Sequence, residues 1–208
     1  MAKLYFYYSA MNAGKSTTLL QASYNYIERG MQTLLFAPAI DTRFGSATIY
    51  SRIGMKKEVT GFTDKTNMYE YVKQKKSEMD NLRCVLIDES HFLTKAQVAQ
   101  LTQITTTLGI AVLCYGLRTD FLGEPFPGSK YLLGWADEIS EIKTICHCGR
   151  KATMNLRMDE NGRPVQEGNQ IQVGGNETYT SMCMHHFIKN VDVFKNYATE
   201  NAFEYSGR

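Results

Sequence analysis

The stretch Ser9, Ala10, Met11, Asn12, Ala13, Gly14, Lys15, Ser16 differs at one position from the loop pattern G-x-x-x-x-G-K-[ST]. Ser9 stands where the first glycine is usual, while Gly14, Lys15 and Ser16 are in place. That pattern serves to hold the phosphates of a nucleotide. Backbone N–H groups curl around them, a helix N-terminus faces them, and the lysine neutralises their charge. Gly14 permits close backbone approach, Lys15 reaches the β- and γ-phosphates, and Ser16 offers its hydroxyl to Mg²⁺. The first glycine mainly provides a tight turn out of a strand, which a small serine can also make. The second half of such a site is an acidic residue at the end of another buried strand. "CVLIDES" supplies Asp88 as the Mg²⁺-associated aspartate and Glu89 immediately after it. A carboxylate there can accept a proton from an attacking hydroxyl or water. The plainer alternative is that Glu89 only bonds nearby backbone groups.

A second group of residues points to a metal. Cys146-x-Cys148 and Cys183-x-x-His186 make four ligands in two close pairs, which suits tetrahedral Zn²⁺ in a closed structural site. His147 and His185 are rival ligands, and the C-x-x-H spacing favours His186. A metal there would replace the core that so small a module cannot build. It would also tie together both ends of the long Gly149–Met182 segment. Cys84 and Cys114 lie inside apolar runs and read as small core residues.

The elements that must position these groups read as follows. Lys3 to Tyr8 is a buried strand running into the Gly14-Lys15-Ser16 turn. Leu19, Ala22 or Ser23, and Tyr26 mark a helix that Gly30 ends. Thr33 to Ala37 and Cys84 to Asp88 are further strands. Val98, Leu101, Ile104 and Leu108 mark a helix that stops at Gly109, before a strand from Ile110 to Gly116. Glu138 to Cys146 reads as the last strand. Continuous apolar strands alternating with helices indicate a parallel sheet covered on both faces. The expected organisation is a nucleotide-binding α/β domain over 1–145, a metal-binding module with a long glycine-bearing loop over 146–190, and a tail over 191–208 with no strong period.

Length and composition agree: 208 residues, 43% hydrophobic and 21% charged, suit a globular domain with a small appendage. A formal net charge of +2 argues against a nucleic-acid groove or a membrane-surface patch. No apolar run approaches membrane-spanning length, and "MAKLYFYYSAMN" lacks the features of a signal peptide. Five unevenly placed cysteines are a poor disulfide framework, and the expected location is the cytoplasm.

With these motifs in order, the chain resembles the thymidine kinases of the cellular, zinc-containing type, above all their enterobacterial form. The resemblance rests on "LYFYYSAMNAGKST", "DTRFG", "SRIG", "LIDESHFL", "LCYGLRTDF", "TICHCGRKA" and "GGNETY", and runs from Met1 to about Lys189. It implies a P-loop, RecA-like parallel sheet and a zinc-binding module carrying a lasso-like loop. It implies phosphotransfer from ATP, with Mg²⁺, to the 5′-hydroxyl of thymidine or deoxyuridine. Glu89 matches the catalytic base, Asp88 and Ser16 the magnesium side, and Lys15 and Arg43 cationic phosphate contacts. Ser90 and His91 fall on the nucleotide side of the same match. Main-chain groups from Gln170 through Ile171, Gln172 and Val173 to Gly174 match those that read the base edge. Met11, Phe92, Leu117, Phe121 and Tyr179 match the walls around the base. The family also implies a homotetramer, inhibition by thymidine triphosphate, and no nucleic-acid or membrane partner. His91 stands where glutamine is common, which leads to an expected change in the low-pH limb of activity.

Two other function classes fit the loop and strand pattern. One is a motor or recombinase-like ATPase with a nucleic-acid-gripping zinc ribbon, against which the near-neutral charge stands. The other is a non-catalytic nucleotide-binding regulator, against which the presence of Glu89 stands.

Overall fold

A computed structural model describes residues 1–39, 46–168 and 179–192. The chain divides into two units. The first comprises Met1–Ser9, Gly14–Arg118 and Phe126–Ile142; the second comprises Ala10–Ala13, Thr119–Pro125 and the described residues from Lys143 onward. The chain therefore leaves the first unit after Ser9 and returns to it at Gly14, in the middle of the candidate phosphate loop.

In the first unit the elements follow in the order β1 (Leu4–Ser9), α1 (Lys15–Glu28), β2 (Gln32–Pro38), β3 (Ser46–Tyr50), β4 (Lys56–Phe62), α2 (Met68–Glu78), β5 (Leu82–Ile87), α3 (Lys95–Gln103), β6 (Ala111–Leu117), α4 (Pro127–Trp135) and β7 (Glu138–Glu141). The strands form one seven-stranded sheet in the order β3-β4-β2-β5-β6-β1-β7. All neighbours pair in parallel except β3 with β4, an antiparallel pair at one edge. Strand β5 shows why the central run is apolar throughout. Successive side chains point to opposite faces. Val85 and Ile87 join the cluster that includes Met68 and Val72 of α2, Val98 and Leu101 of α3, and Leu132 of α4. Cys84 and Leu86 join the other cluster, with Leu19 and Leu20 of α1. Helices thus cover both faces, as the sequence pattern requires. Both Cys84 and Cys114 are fully buried in this core.

Two expectations change. The run Glu138–Cys146 is not one strand: Glu138–Glu141 pairs with β1, and Thr144–Ile145 belongs to the second unit. The helix marked by Val98 to Leu108 opens into a wider turn over Ile104–Leu108 before Gly109, whose φ of 68° lets the chain reverse.

The second unit contains β8 (Thr144–Ile145), β9 (Lys151–Ala152), β10 (Met154–Arg157), β11 (Tyr179–Met182) and α5 (Met184–Asn190). Strand β8 pairs with β9, and β10 with β11, both antiparallel. Its core gathers Cys146, Ala152, Met154, Leu156, Met182, Cys183, Phe187 and Val191. Among the described residues no helix is long and apolar enough to cross a membrane.

Candidate functional site

The phosphate end is built where β1 passes through a turn into α1. Gly14 caps the helix at φ 86°, a left-handed conformation, and Asn12 adopts φ 63° two residues earlier. Open space surrounds the position a Cβ would take at Gly14, so the backbone conformation is what calls for glycine there. Lys15 opens α1 and is buried, as is Ser9. The Ser16 hydroxyl donates to Asp88 Oδ2 at 2.9 Å. Asp88 follows the end of β5, and its own N–H donates to the carbonyl of Phe36 on neighbouring β2. Burial, and then the neighbouring Glu89, raise the Asp88 carboxyl to about 6, against the pull of Ser16 and Lys15. A carboxylate and a hydroxyl this close are hard oxygen donors, and a buried carboxylate lacking enough positive charge favours a cation beside it. That donor set fits Mg²⁺.

Glu89 follows in a left-handed conformation, φ 48° and ψ 41°, which costs an L-residue of this kind about 1 kcal/mol. Its N–H donates to Asp88 Oδ1 at 3.0 Å. The next residues, Ser90–Phe92, form one tight helical turn. That turn is seated on two glycines outside the loop motif. A Cβ on Gly116 would lie 2.8 Å from Ser90 Oγ, and one on Gly128 would lie 2.5 Å from the Ser90 carbonyl. Ser129 fixes the same region by donating its hydroxyl to the Leu117 carbonyl. The side chain of Glu89 is 38% exposed, so it is held from behind and open in front.

The premise of the expectation attached to His91, titration near neutrality, is not met. His91 is 2% exposed, and burial and then the charge of Lys15 hold its pKa well below the ordinary 6.5. Its Nδ1 accepts the Leu117 N–H at 3.2 Å, which fixes a neutral ring protonated on Nε2. The 3.3 Å approach of Glu89 Oε2 to that Nδ1 is therefore not an ion pair. His91 acts here as a polar, uncharged core residue and does not titrate near neutrality.

The residues matched to a base pocket are placed as follows. Leu117 is buried at the end of β6 and Phe92 is half-buried, both in the first unit. Phe121, Met11 and Tyr179 belong to the second. Phe121 is buried with the Arg157 guanidinium 5.2 Å from its ring centre. Tyr179 opens β11. Arg43, the stretch Gln170, Ile171, Gln172, Val173 and Gly174, and the tail from 193 lie outside the described residues.

The metal candidates come together within the second unit. The ligand atoms of Cys146, Cys148, Cys183 and His186 all lie within 4.8 Å of one another. Cys148 Sγ is 3.9 Å from Cys183 Sγ, and His186 Nδ1 lies 3.4 Å from Cys146 Sγ and 3.5 Å from Cys183 Sγ. Ordinary Zn–S and Zn–N bonds in a tetrahedron give S–S edges of about 3.8 Å and S–N edges of about 3.6 Å. The cluster thus has the dimensions of a closed tetrahedral site, with His186 presenting Nδ1. His147 stacks on His186 at 4.3 Å between ring centres and is not one of the four. Burial opposes ionising Cys146, but main-chain groups of Cys148 and Cys183 and the His186 ring outweigh it and bring the thiol to about 5. A thiolate is the form that binds metal.

Several positioning residues were not visible as such in the sequence. Gly116, Gly128 and Ser129 act through close packing between distant segments, which no local pattern records. Asn155, 3% exposed within β10, and Ser181 within β11 both bond the main chain of Met11. Their only sequence signal is a polar residue between Met154 and Leu156 in an apolar stretch.

Comparison with known proteins adds the chemistry's name. A family model described as Thymidine kinase matches residues 2–187. A protein named thymidine kinase from Legionella pneumophila (strain Lens) is 62% identical over 187 residues, 90% of each chain. Relatives of the same name from Coxiella burnetii and Yersinia pseudotuberculosis are 60% and 57% identical, each over 90% of this chain and 95% of their own.

Proposed function

Since the chain belongs to the thymidine kinase family, we propose that it transfers the γ-phosphoryl group of ATP to the 5′-hydroxyl of thymidine, and of deoxyuridine, to give the monophosphate in nucleoside salvage. The observation that carries this reading is the Ser16–Asp88 contact with Glu89 held immediately beside it in a strained backbone conformation.

In this reading Ser9 to Ser16 wrap the phosphates, Lys15 offsets their charge, and Ser16 and Asp88 hold Mg²⁺. Bound there, Mg²⁺ would supply positive charge to offset that of the phosphates. Glu89 takes the proton of the 5′-hydroxyl as that oxygen bonds to the γ-phosphorus and the bond to the β–γ bridging oxygen breaks, releasing ADP. Arg43 adds positive charge where the leaving oxygen develops negative charge. Cys146, Cys148, Cys183 and His186 would hold Zn²⁺, which would tie together both ends of the segment that carries Gln170 to Gly174. Main-chain groups there pair with the thymine edge, while Met11, Phe92, Leu117, Phe121 and Tyr179 supply apolar contacts. Donors and acceptors arranged for an imide would be left unpaired by cytosine, which is the strong form of discrimination. The lack of the methyl in deoxyuridine costs only a small apolar contact. The same reading takes thymidine triphosphate as an inhibitor, the active form as a homotetramer and the cytoplasm as its place, with no nucleic acid or membrane as partner.

The test is a phosphotransfer assay with Mg·ATP against thymidine, deoxyuridine and deoxycytidine. Products from the first two and none from the third are expected. ATP turnover with no nucleoside product, stimulated by DNA, would instead favour the motor-type ATPase.

A further inference from the structure

The phosphate loop's own peptide groups are not all free to meet phosphate. Met11, at its centre, has its N–H donating to Asn155 Oδ1 at 2.7 Å, and its carbonyl accepts the Ser181 hydroxyl. Asn155 and Ser181 are directly opposite each other in the antiparallel pairing of β10 with β11. They therefore project from the same face of the strand pair and grip one residue from both sides. The Asn155 amide has only one workable orientation: its oxygen must face the Met11 N–H, and its nitrogen donates to the Thr119 carbonyl at 3.4 Å. Met11, Thr119, Asn155 and Ser181 all belong to the second unit. Asn12, next to the gripped residue, carries the positive φ that turns the loop toward Gly14.

We infer that Asn155 and Ser181 are positioning residues for nucleotide binding: they fix the Met11 peptide groups and so aim the remaining loop N–H groups at the phosphates. This rests on the kinase reading only in taking the loop to hold a nucleotide's phosphates. The geometry supports it because a loop whose central residue takes both main-chain bonds from side chains has little freedom left at Asn12 and Ala13. Nucleotide then binds without first having to order the loop, which is how preorganisation raises affinity.

The experiment compares Ser181→Ala, Ser181→Thr and Asn155→Leu with the wild-type chain by calorimetric titration of Mg·ADP, which needs no turnover. Metal content and thermal midpoint are measured alongside. Losing one such bond should weaken Mg·ADP roughly three- to tenfold in Ser181→Ala, and further in Asn155→Leu. Metal content should stay unchanged in Ser181→Ala, and Ser181→Thr, which keeps the hydroxyl, should restore affinity. Unchanged Mg·ADP affinity in folded Ser181→Ala and Asn155→Leu would overturn the inference. So would a loss of affinity that threonine does not rescue and that follows loss of metal, since that pattern marks a role in folding alone. A wild-type chain that binds Mg·ADP but phosphorylates no nucleoside would defeat the kinase reading and leave this one standing.

Discussion

Strand β5 in the first unit is buried by side chains alone: Val85 and Ile87 on one face, Cys84 and Leu86 on the other, each within its own apolar cluster. The second unit's described core has eight buried residues, and two of them, Cys146 and Cys183, belong to the candidate metal-ligand cluster. One core is apolar throughout, whereas the other is smaller and shares two of its residues with a Cys/His cluster of metal-site dimensions. The same contrast holds for function. The first unit aims Glu89 by packing backbone against glycine, whereas the second grips Met11 with two polar side chains on a short antiparallel strand pair.

The largest effect that could break this comparison comes from the metal. Structural Zn²⁺ contributes about 10 kcal/mol or more to folding in small modules. Chelation, or Cys183→Ser, should abolish amide-exchange protection in β10 and α5 while β5 and β6 keep theirs. Undiminished protection in β10 would mean that the second core stands unaided. Next is Gly128→Ala. The new Cβ would meet the carbonyls of Ser90, His91 and Leu93 at 2.5 to 2.9 Å, all backbone atoms. Such overpacking costs about 1–3 kcal/mol or more. Denaturant unfolding should show that loss, with a fall in turnover because the turn after Glu89 has moved.

Asp88→Asn should act in the opposite direction on stability. The folded carboxyl sits at about 6 against an ordinary 3.8 because of burial and Glu89. The folded state thus binds more protons between those values, and ionised Asp88 opposes folding above about pH 6. Without Mg²⁺, the asparagine variant should be more stable near neutral pH by about 1–3 kcal/mol. It should also lose Mg·ATP binding. A destabilised variant would show that Asp88 is better compensated than its burial implies. The smallest effect is at His91. Its folded pKa lies well below 6.5, so protons taken up by the unfolded chain erode stability as pH falls from about 6.5. His91→Gln should remove that share of the loss, read as thermal midpoints from about pH 7.5 down to about pH 5. Identical pH dependences would show that His91 is charged, or free to become so, in the folded protein.

The contrast between the units also explains what the sequence made legible. Apolar runs and glycine stops reveal β1, α1, β2, β5 and β6, because a strand buried on both faces leaves an unbroken signature. The pair β3 and β4 is half-exposed and carries Lys56, Lys57 and Glu58, so its alternation is hidden among charges. Helix α2 has only Met68 and Val72 buried, too few to declare a period. The Cys and His pairs were readable because metal geometry constrains residue type as well as place. Gly116, Gly128, Asn155 and Ser181 were not, since each matters through a segment far away in the chain. His91 was readable as a substitution but not as a neutral one, because its burial follows from packing between the turn and β6.

The most direct test of the central claim is Glu89→Gln assayed for thymidine phosphorylation, with binding of Mg·ATP and thymidine measured separately. Loss of a general base is expected to lower turnover by roughly 10²- to 10⁴-fold. Both dissociation constants should stay within about threefold, because the amide keeps the shape of the side chain. Turnover within about tenfold of wild type would contradict the account, because it is too small a loss for the group that accepts the substrate's proton.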